Sequence, residues 1–323
     1  MNILVTGAAG FIGYHLIKNL LNINNNNKIF GIDNINNYYD VDLKKNRLKN
    51  LQSFNNFNFK KIDICSQNTL NHFVKTNKIK VIIHLAAQAG VRYSIRNPQT
   101  YFNNNIFGFN NILEVSRNNK IKHLLFASTS SVYGDTKKFP LSEDHLTNSP
   151  LTYYAASKKS NEVSSFSYSN IYKLPITCMR FFTVYGPFGR PDMALFKFTK
   201  NIIENKKIDV FNFGNHSRDF TYVDDICLAI IGLIRKPNKT NIPYNVFNIG
   251  SGKPITLNRF IKIIEKNLNL KAKINLLPLQ TGDVIKTYAN INKIRNYTNY
   301  KPKFNVDKGV ENFINWYREY YNV

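Results

Sequence analysis

The sequence is poor in acid and in cysteine. Asp and Glu number 20 against 44 Lys and Arg, a formal charge of +24 over 323 residues. A basic excess of that size would mark a nucleic-acid surface if it were concentrated. Here the lysines are scattered and keep company with Asn, Ile and Tyr, as in "NINNNNK" and "NKIRNYTNYK". That pattern reads as compositional drift, and it leaves only a diffuse positive field that would attract a small polyanion. Neither a nucleic-acid partner nor a membrane partner is expected. Cys65, Cys178 and Cys227 have no CxxC or Cys/His spacing, which excludes a disulfide frame and a zinc site. No metal is expected. No apolar run reaches 18 residues, so no segment reads as a membrane-spanning helix. The start "MNILVTGAAG" shows no charged leader or cleavage site, and a reducing cytoplasm is the expected location. No internal repeat is present, and the Asn-rich stretch at 22–27 reads as a polar, solvated turn.

Apolar residues make up 43%, enough for a sizeable core in one large domain or two coupled ones. Strand and helix signals alternate through the first 180 or so residues. "NILVT", "KIFGID", "FNFKKID", "KVIIHLAA", "HLLFAS" and "LPITCMR" read as strands. Helices are expected at "FIGYHLIKNLLN", "DVDLKKNRLKNL", 67–76 and, as one long element, 98–118. This order predicts an α/β fold, a Rossmann-type doubly wound parallel sheet. The second half is mixed, with helices at "ALFKFTKNIIEN", "YVDDICLAIIGLI", "TLNRFIKIIEKNL" and "VDKGVENFINWYREYY" and a strand at "YNVFNI". We assign residues 1–183 to a dinucleotide-binding domain to which 221–250 return. Residues 184–220 and 251–323 form a smaller mixed α/β lobe for the substrate.

"VTGAAGFIG" places Gly7, Gly10 and Gly13 directly after a strand and into a helix. The first glycine permits a tight turn, the second a close approach to a pyrophosphate, the third close packing of helix on strand. Phe11 and Ile12 open that helix, whose free N–H groups face the same diphosphate. Asp33 ends the next strand 20 residues past Gly13. A carboxylate there accepts both hydroxyls of an adenosine ribose and repels a 2′-phosphate, so NAD is expected rather than NADP. Tyr154 and Lys158 are four apart in "YYAASKKSNE" and share one helix face. An ammonium beside a phenol would lower its pKa and make the tyrosine usable as a base. The adjoining Tyr153 and Lys159 read as packing and solvent. "STSSVYG" puts four hydroxyls, Ser128 to Ser131, at the end of a core strand. They serve either as a plain turn or as donors aimed at a substrate.

At this point the chain resembles the extended short-chain dehydrogenase/reductases, and within them the UDP-glucuronate 4-epimerases. The resemblance runs nearly end to end through "TGAAGFIG", "NNYYDVDLK", "HLAAQAGVRYS", "STSSVYG", "YAASKK", "RFFTVYGPFGRPDMALFKFTK", "RDFTYVDDI", "NIGSGKP" and "GDV". It implies that Tyr154 takes the proton of the sugar C4 hydroxyl while hydride passes to the nicotinamide. The 4-keto sugar then turns about its pyrophosphate and takes hydride back on the other face. It further implies that Thr129 bonds the same oxygen and Lys158 the nicotinamide ribose. By the same matching, Asp63 and Ile64 lie by the adenine, Ala86 and Ala87 along the cofactor, and Asn105 on a helix facing the site. Arg218 and Asp283 hold the pyrophosphate and the uridine ribose.

Sugar dehydratases of this superfamily carry Asp-Glu after the catalytic Thr, and the related decarboxylases an acid nearby. Ser130 and Ser131 stand there instead. Hydroxyls cannot supply the general acid of an elimination, but they can donate to a carboxylate. Thr183 and Arg190 would complete that cradle, the guanidinium fork matching a carboxylate. The expected activity is therefore NAD-dependent 4-epimerisation of UDP-glucuronate to UDP-galacturonate, within polysaccharide biosynthesis. A 4-epimerase of neutral or N-acetylated UDP-hexoses and a non-catalytic NAD-binding regulator are the alternatives. Arg190 with the paired serines argues against the first. The full set Thr129, Tyr154 and Lys158 argues against the second. Relatives imply a homodimer through helices near 98–118 and 153–171.

Overall fold

Apolar runs buried on both sides, such as "VIIH" and "ITCMRF", are what a parallel sheet covered by helices requires. The computed structural model describes residues 1–23 and 27–323, so most of the Asn-rich turn, at 24–26, lies outside them. The strands are β1 (Asn2–Thr6), β2 (Lys28–Asp33), β3 (Phe57–Lys61), β4 (Val81–His84), β5 (His123–Thr129), β6 (Ile176–Phe181), β7 (Thr183–Tyr185), β8 (Lys207–Phe211), β9 (Ser217–Arg218), β10 (Phe220–Tyr222), β11 (Tyr244–Ile249), β12 (Ile255–Thr256) and β13 (Lys273–Leu277). The helices are α1 (Phe11–Ile23), α2 (Val41–Gln52), α3 (Gln67–Thr76), α4 (Val91–Arg96), α5 (Pro98–Tyr101), α6 (Gly108–Asn118), α7 (Tyr153–Tyr172), α8 (Ala194–Ile203), α9 (Val223–Ile234), α10 (Leu257–Leu268), α11 (Asn292–Thr298) and α12 (Val306–Tyr321). None of the described helices is long and apolar enough to cross a membrane.

Seven strands form one parallel sheet in the order β11-β6-β5-β4-β1-β2-β3. One core, including Leu16, Ile17, Ile226 and Ile230 of α1 and α9, covers one face. Leu70, Val74, Ile112 and Leu113 of α3 and α6 belong to the core on the other. The expected doubly wound sheet is thus present. Strand order reverses between β1 and β4, and the crevice beyond the strands' carboxyl ends at such a reversal is where ligands bind. Gly7, Asp33, Ala86 and Thr129 all fall at carboxyl ends.

The long helix expected at 98–118 is instead α5 and α6 joined by a π-helical turn, Phe102–Phe107. Its three consecutive asparagines are weak helix formers, and Asn105 is buried there against the loop after β4. A third core is built by α8, α10 and α12 with β7, β8 and β10. Phe220 and Phe260 stack at 4.0 Å, and α8, α10 and α12 supply most of the other side chains. Two strands that periodicity did not single out, β8 and β13, pair in parallel there.

Candidate active site

The glycine turn is built by exclusion. Gly7 has φ +72°, and a β-carbon on it would lie 2.8 Å from the Ala86 nitrogen. A β-carbon on Gly13 would lie 2.1 Å from the Gly7 carbonyl oxygen, so only glycine lets α1 start against the turn. Gly10 is tight as well, at 3.0 Å from the same oxygen. Phe11 and Ile12 pack into the core while their N–H groups belong to a first turn with no upstream carbonyl to bond. Asp33 accepts from Ala9 N–H at 3.1 Å and Ile35 N–H at 2.8 Å. Burial pushes its carboxyl up, against those bonds and the charges of Lys44 and Arg47. A glycine turn with a recessed carboxylate beside it fits the diphosphate and ribose of a dinucleotide.

The other residues expected along the cofactor follow the carboxyl ends of β3 and β4 or lie on the π-helical turn. Asp63 accepts from Asn34 Nδ2 at 2.9 Å and Cys65 N–H at 2.8 Å, and these outweigh burial to lower its pKa. The Ile64 side chain packs where Gly108 leaves room, and its carbonyl accepts from Asn111. Ala86 N–H donates to Thr6 Oγ1 at 3.1 Å, and Ala87 follows half-buried. Asn105 holds the next residue by both backbone groups, Gln88 N–H at 2.8 Å and C=O at 3.0 Å. Its amide also donates to Ser157 Oγ on α7 at 3.1 Å. Asn105 therefore ties the loop after β4 to the helix of Tyr154.

The four hydroxyls divide. Ser128 is buried and donates to Glu162 Oε1 at 2.6 Å, inside an ion pair between Glu162 and Arg180 at 2.8 Å. Thr129 caps the 3₁₀ turn of 130–133: it donates to Ser131 Oγ at 3.2 Å and accepts from Ser131 N–H at 3.2 Å. Its hydroxyl also lies beside the Tyr154 phenol and favours the phenolate. Ser130 and Ser131 are half-buried beside it. Tyr154 and Lys158 share α7, as their spacing predicts. Lys158 donates to the Ala127 carbonyl at 3.0 Å, and burial draws its own pKa down to about 8. The Tyr154 phenol is pushed up by burial, with the Thr129 hydroxyl and the Arg190 charge pulling the other way. Spacing aligned the two side chains on a face; the sheet beneath decided where the ammonium points.

On the substrate side, Thr183 donates its N–H to the Asp219 carbonyl at 3.1 Å. The fork of Arg190 is engaged by Asp192, Nε to Oδ1 at 3.0 Å and Nη2 to Oδ2. Tyr38 OH donates to the same carboxylate at 3.2 Å. Among the described residues no hydrogen bond reaches Arg190 Nη1. Arg218 is caged by carbonyls, Ile285 at 2.8 Å, Ser217 at 3.1 Å and Val284. Burial draws its pKa down to about 10, with Asp283 opposing and Arg92 adding. Asp283 pairs with Arg92 at 3.1 Å, and Arg92 lies 4.6 Å over the Phe211 ring. The fold thus gathers Arg218 and Asp283 into one cluster. Sequence reasoning missed Tyr38, Arg92 and Asp192. Each falls inside a stretch specific to the resemblance, "NNYYDVDLK", "HLAAQAGVRYS" or "GPFGRPDMA", and that was the available signal.

Known proteins resemble this chain over nearly its whole length. Residues 3–250 match the NAD dependent epimerase/dehydratase family. The chain is similar to Protein CapI of Staphylococcus aureus, 48% identical over 335 residues with 99% of each chain covered. It is similar to the UDP-glucuronate 4-epimerase of Thermodesulfobacterium geofontis, 42% identical over 317 residues, covering 98% of this chain and 96% of that one. Among solved structures, the UDP-glucuronic acid 4-epimerase of Bacillus cereus in complex with UDP-glucuronic acid and NAD has a TM-score of 0.93 at 35% identity. It covers 99% of this chain and 100% of its own.

Proposed function

The chain belongs to the NAD dependent epimerase/dehydratase family, and from that premise we propose that it is an NAD-dependent UDP-glucuronate 4-epimerase that forms UDP-galacturonate. What supports this reading is that the Thr129 hydroxyl and the Arg190 charge both bear on the buried Tyr154 phenol, while Thr129, Asp33 and the glycine turn all fall at the carboxyl ends of strands of one sheet. Gly7, Gly10, Gly13 and Asp33 hold the dinucleotide, with Asp63, Ile64, Ala86, Ala87 and Lys158 along it. Bound NAD supplies the hydride acceptor and donor for C4. Tyr154 takes the C4 hydroxyl proton and returns it, and Thr129 orients that oxygen. Arg218 and Asp283 hold the nucleotide diphosphate while the sugar turns. Ser130, Ser131, Thr183 and Arg190 face the carboxylate. Residues 1–183 with 221–250 act as the cofactor domain, and 184–220 with 251–323 as the substrate lobe. We place the enzyme in the cytoplasm, in polysaccharide precursor synthesis; its three cysteines are free. Purified protein incubated with UDP-glucuronate should yield UDP-galacturonate by chromatography; unchanged substrate sinks the proposal.

Two predictions arise here. NADP should bind at least ~10-fold more weakly than NAD, because its 2′-phosphate faces the Asp33 carboxylate. Equal affinities by calorimetry would defeat this. We also propose a homodimer through 98–118 and 153–171. Phe102, Phe107, Val163 and Phe166 on these helices are 45%, 48%, 59% and 48% exposed, and a two-fold axis would let the patch cover itself. Val163→Asp with Phe166→Asp should halve the mass measured by light scattering. An unchanged mass would place the interface elsewhere.

A further inference from the structure

Arg47 is the largest fully buried side chain among the described residues, and no carboxylate pairs with it directly. A buried cation without an ion pair is costly and persists where its geometry is needed. Its guanidinium reaches from α2 to two segments far apart in sequence. Nη1 donates to the Ala9 carbonyl at 2.9 Å, inside the glycine turn, and to Tyr39 OH at 2.7 Å. Nη2 donates to the Phe188 carbonyl at 2.6 Å and the Gly189 carbonyl at 3.4 Å. Phe188 has φ +54°, a left-handed conformation unfavourable for a side chain of its size. Such strain persists only where the surroundings over-determine it. Here they do. The Phe188 ring packs 4.9 Å from Tyr14 and 4.9 Å from Trp316, and His15 bonds the preceding Pro187 carbonyl at 2.8 Å. Arg190 follows two residues on.

We propose that Arg47 is a positioning residue that locks the glycine turn and the 186–190 loop to each other. The seat of the cofactor diphosphate and the seat of the sugar carboxylate then keep one separation while the sugar turns. This rests on the reading of Arg190 as a carboxylate contact. A lysine keeps the charge but gathers its three donors on one atom, so it cannot reproduce the four contacts that the two guanidinium nitrogens make.

The test uses the NAD-loaded enzyme with Arg47→Lys and Arg47→Gln, and calorimetry with UDP and with UDP-glucuronate. UDP makes no contact through a sugar carboxylate. Its affinity should change less than about 3-fold, while UDP-glucuronate weakens about 10- to 30-fold, the loss expected when a charge-assisted contact is displaced. A purely structural arginine would lower the melting temperature and move both ligands together. Equal weakening of the two, or a wild-type ratio in Arg47→Lys, overturns the proposal. If Arg47→Gln does not fold, the ratio in Arg47→Lys decides. Wild-type enzyme that does not epimerise UDP-glucuronate would overturn the functional reading instead.

Discussion

Tyr154→Phe should bind NAD as the unaltered protein does and lose at least ~100-fold in turnover, the usual scale for removing a general acid–base group. The substitution deletes one oxygen. The ring keeps its edge contact with Tyr101, 6.0 Å between centroids at 74°, so the pocket has no reason to collapse. What goes is the phenol hydroxyl that lies beside Thr129 and within the field of Arg190. Burial raises that phenol's pKa, and the Thr129 hydroxyl and the Arg190 charge offset only part of the rise. Near-normal turnover in the variant, with bound NAD verified by absorbance, would remove Tyr154 from the mechanism.

For Arg190→Ala we expect UDP-glucuronate binding weaker by about 1.5–3 kcal/mol, the range for a hydrogen bond to a charged group. The oxidised sugar is a 4-keto-hexuronate whose carboxylate lies beta to the ketone. Such acids lose carbon dioxide when the breaking bond stands perpendicular to the carbonyl plane. Holding the carboxylate near that plane suppresses the loss, and so does a site that never protonates the resulting enolate. The variant should therefore release a decarboxylated pentose in a larger fraction of turnovers. The structure adds two consequences. Asp192 would lose its ion-pair partner, keeping only the Tyr38 hydroxyl, and stand as an uncompensated carboxylate near the anionic sugar, so adding Asp192→Asn should restore part of the affinity. The Tyr154 phenol would lose a stabilising positive charge, so its pKa rises and the ascending limb of the pH–rate profile moves to higher pH. Calorimetry with UDP-glucose provides the control. Equal weakening for the charged and neutral sugars, with no additional trapped carbon dioxide, would mean that Arg190 only braces its loop.

Much of this protein follows from local rules in the chain. Burial on both faces makes uniform apolar runs, and short connections allow few ways to order them, so the parallel sheet could be read before any coordinates. Gly7, Gly10 and Gly13 are legible because sterics alone demand them. Tyr154 and Lys158 are legible because a helix has one period. What the sequence could not determine is where long side chains end. Lys158 turns to the Ala127 carbonyl rather than to Tyr154, because the sheet lies beneath it. Ser128 leaves the row of hydroxyls for Glu162, because a buried acid 34 residues away requires a donor. Tyr38 meets Asp192, and Arg47 meets Ala9 and Phe188, across separations that no periodicity encodes. Backbone patterns are set by neighbours in the chain, whereas the partner of a buried charge is whatever packing brings within hydrogen-bond reach, and only the tertiary structure decides that.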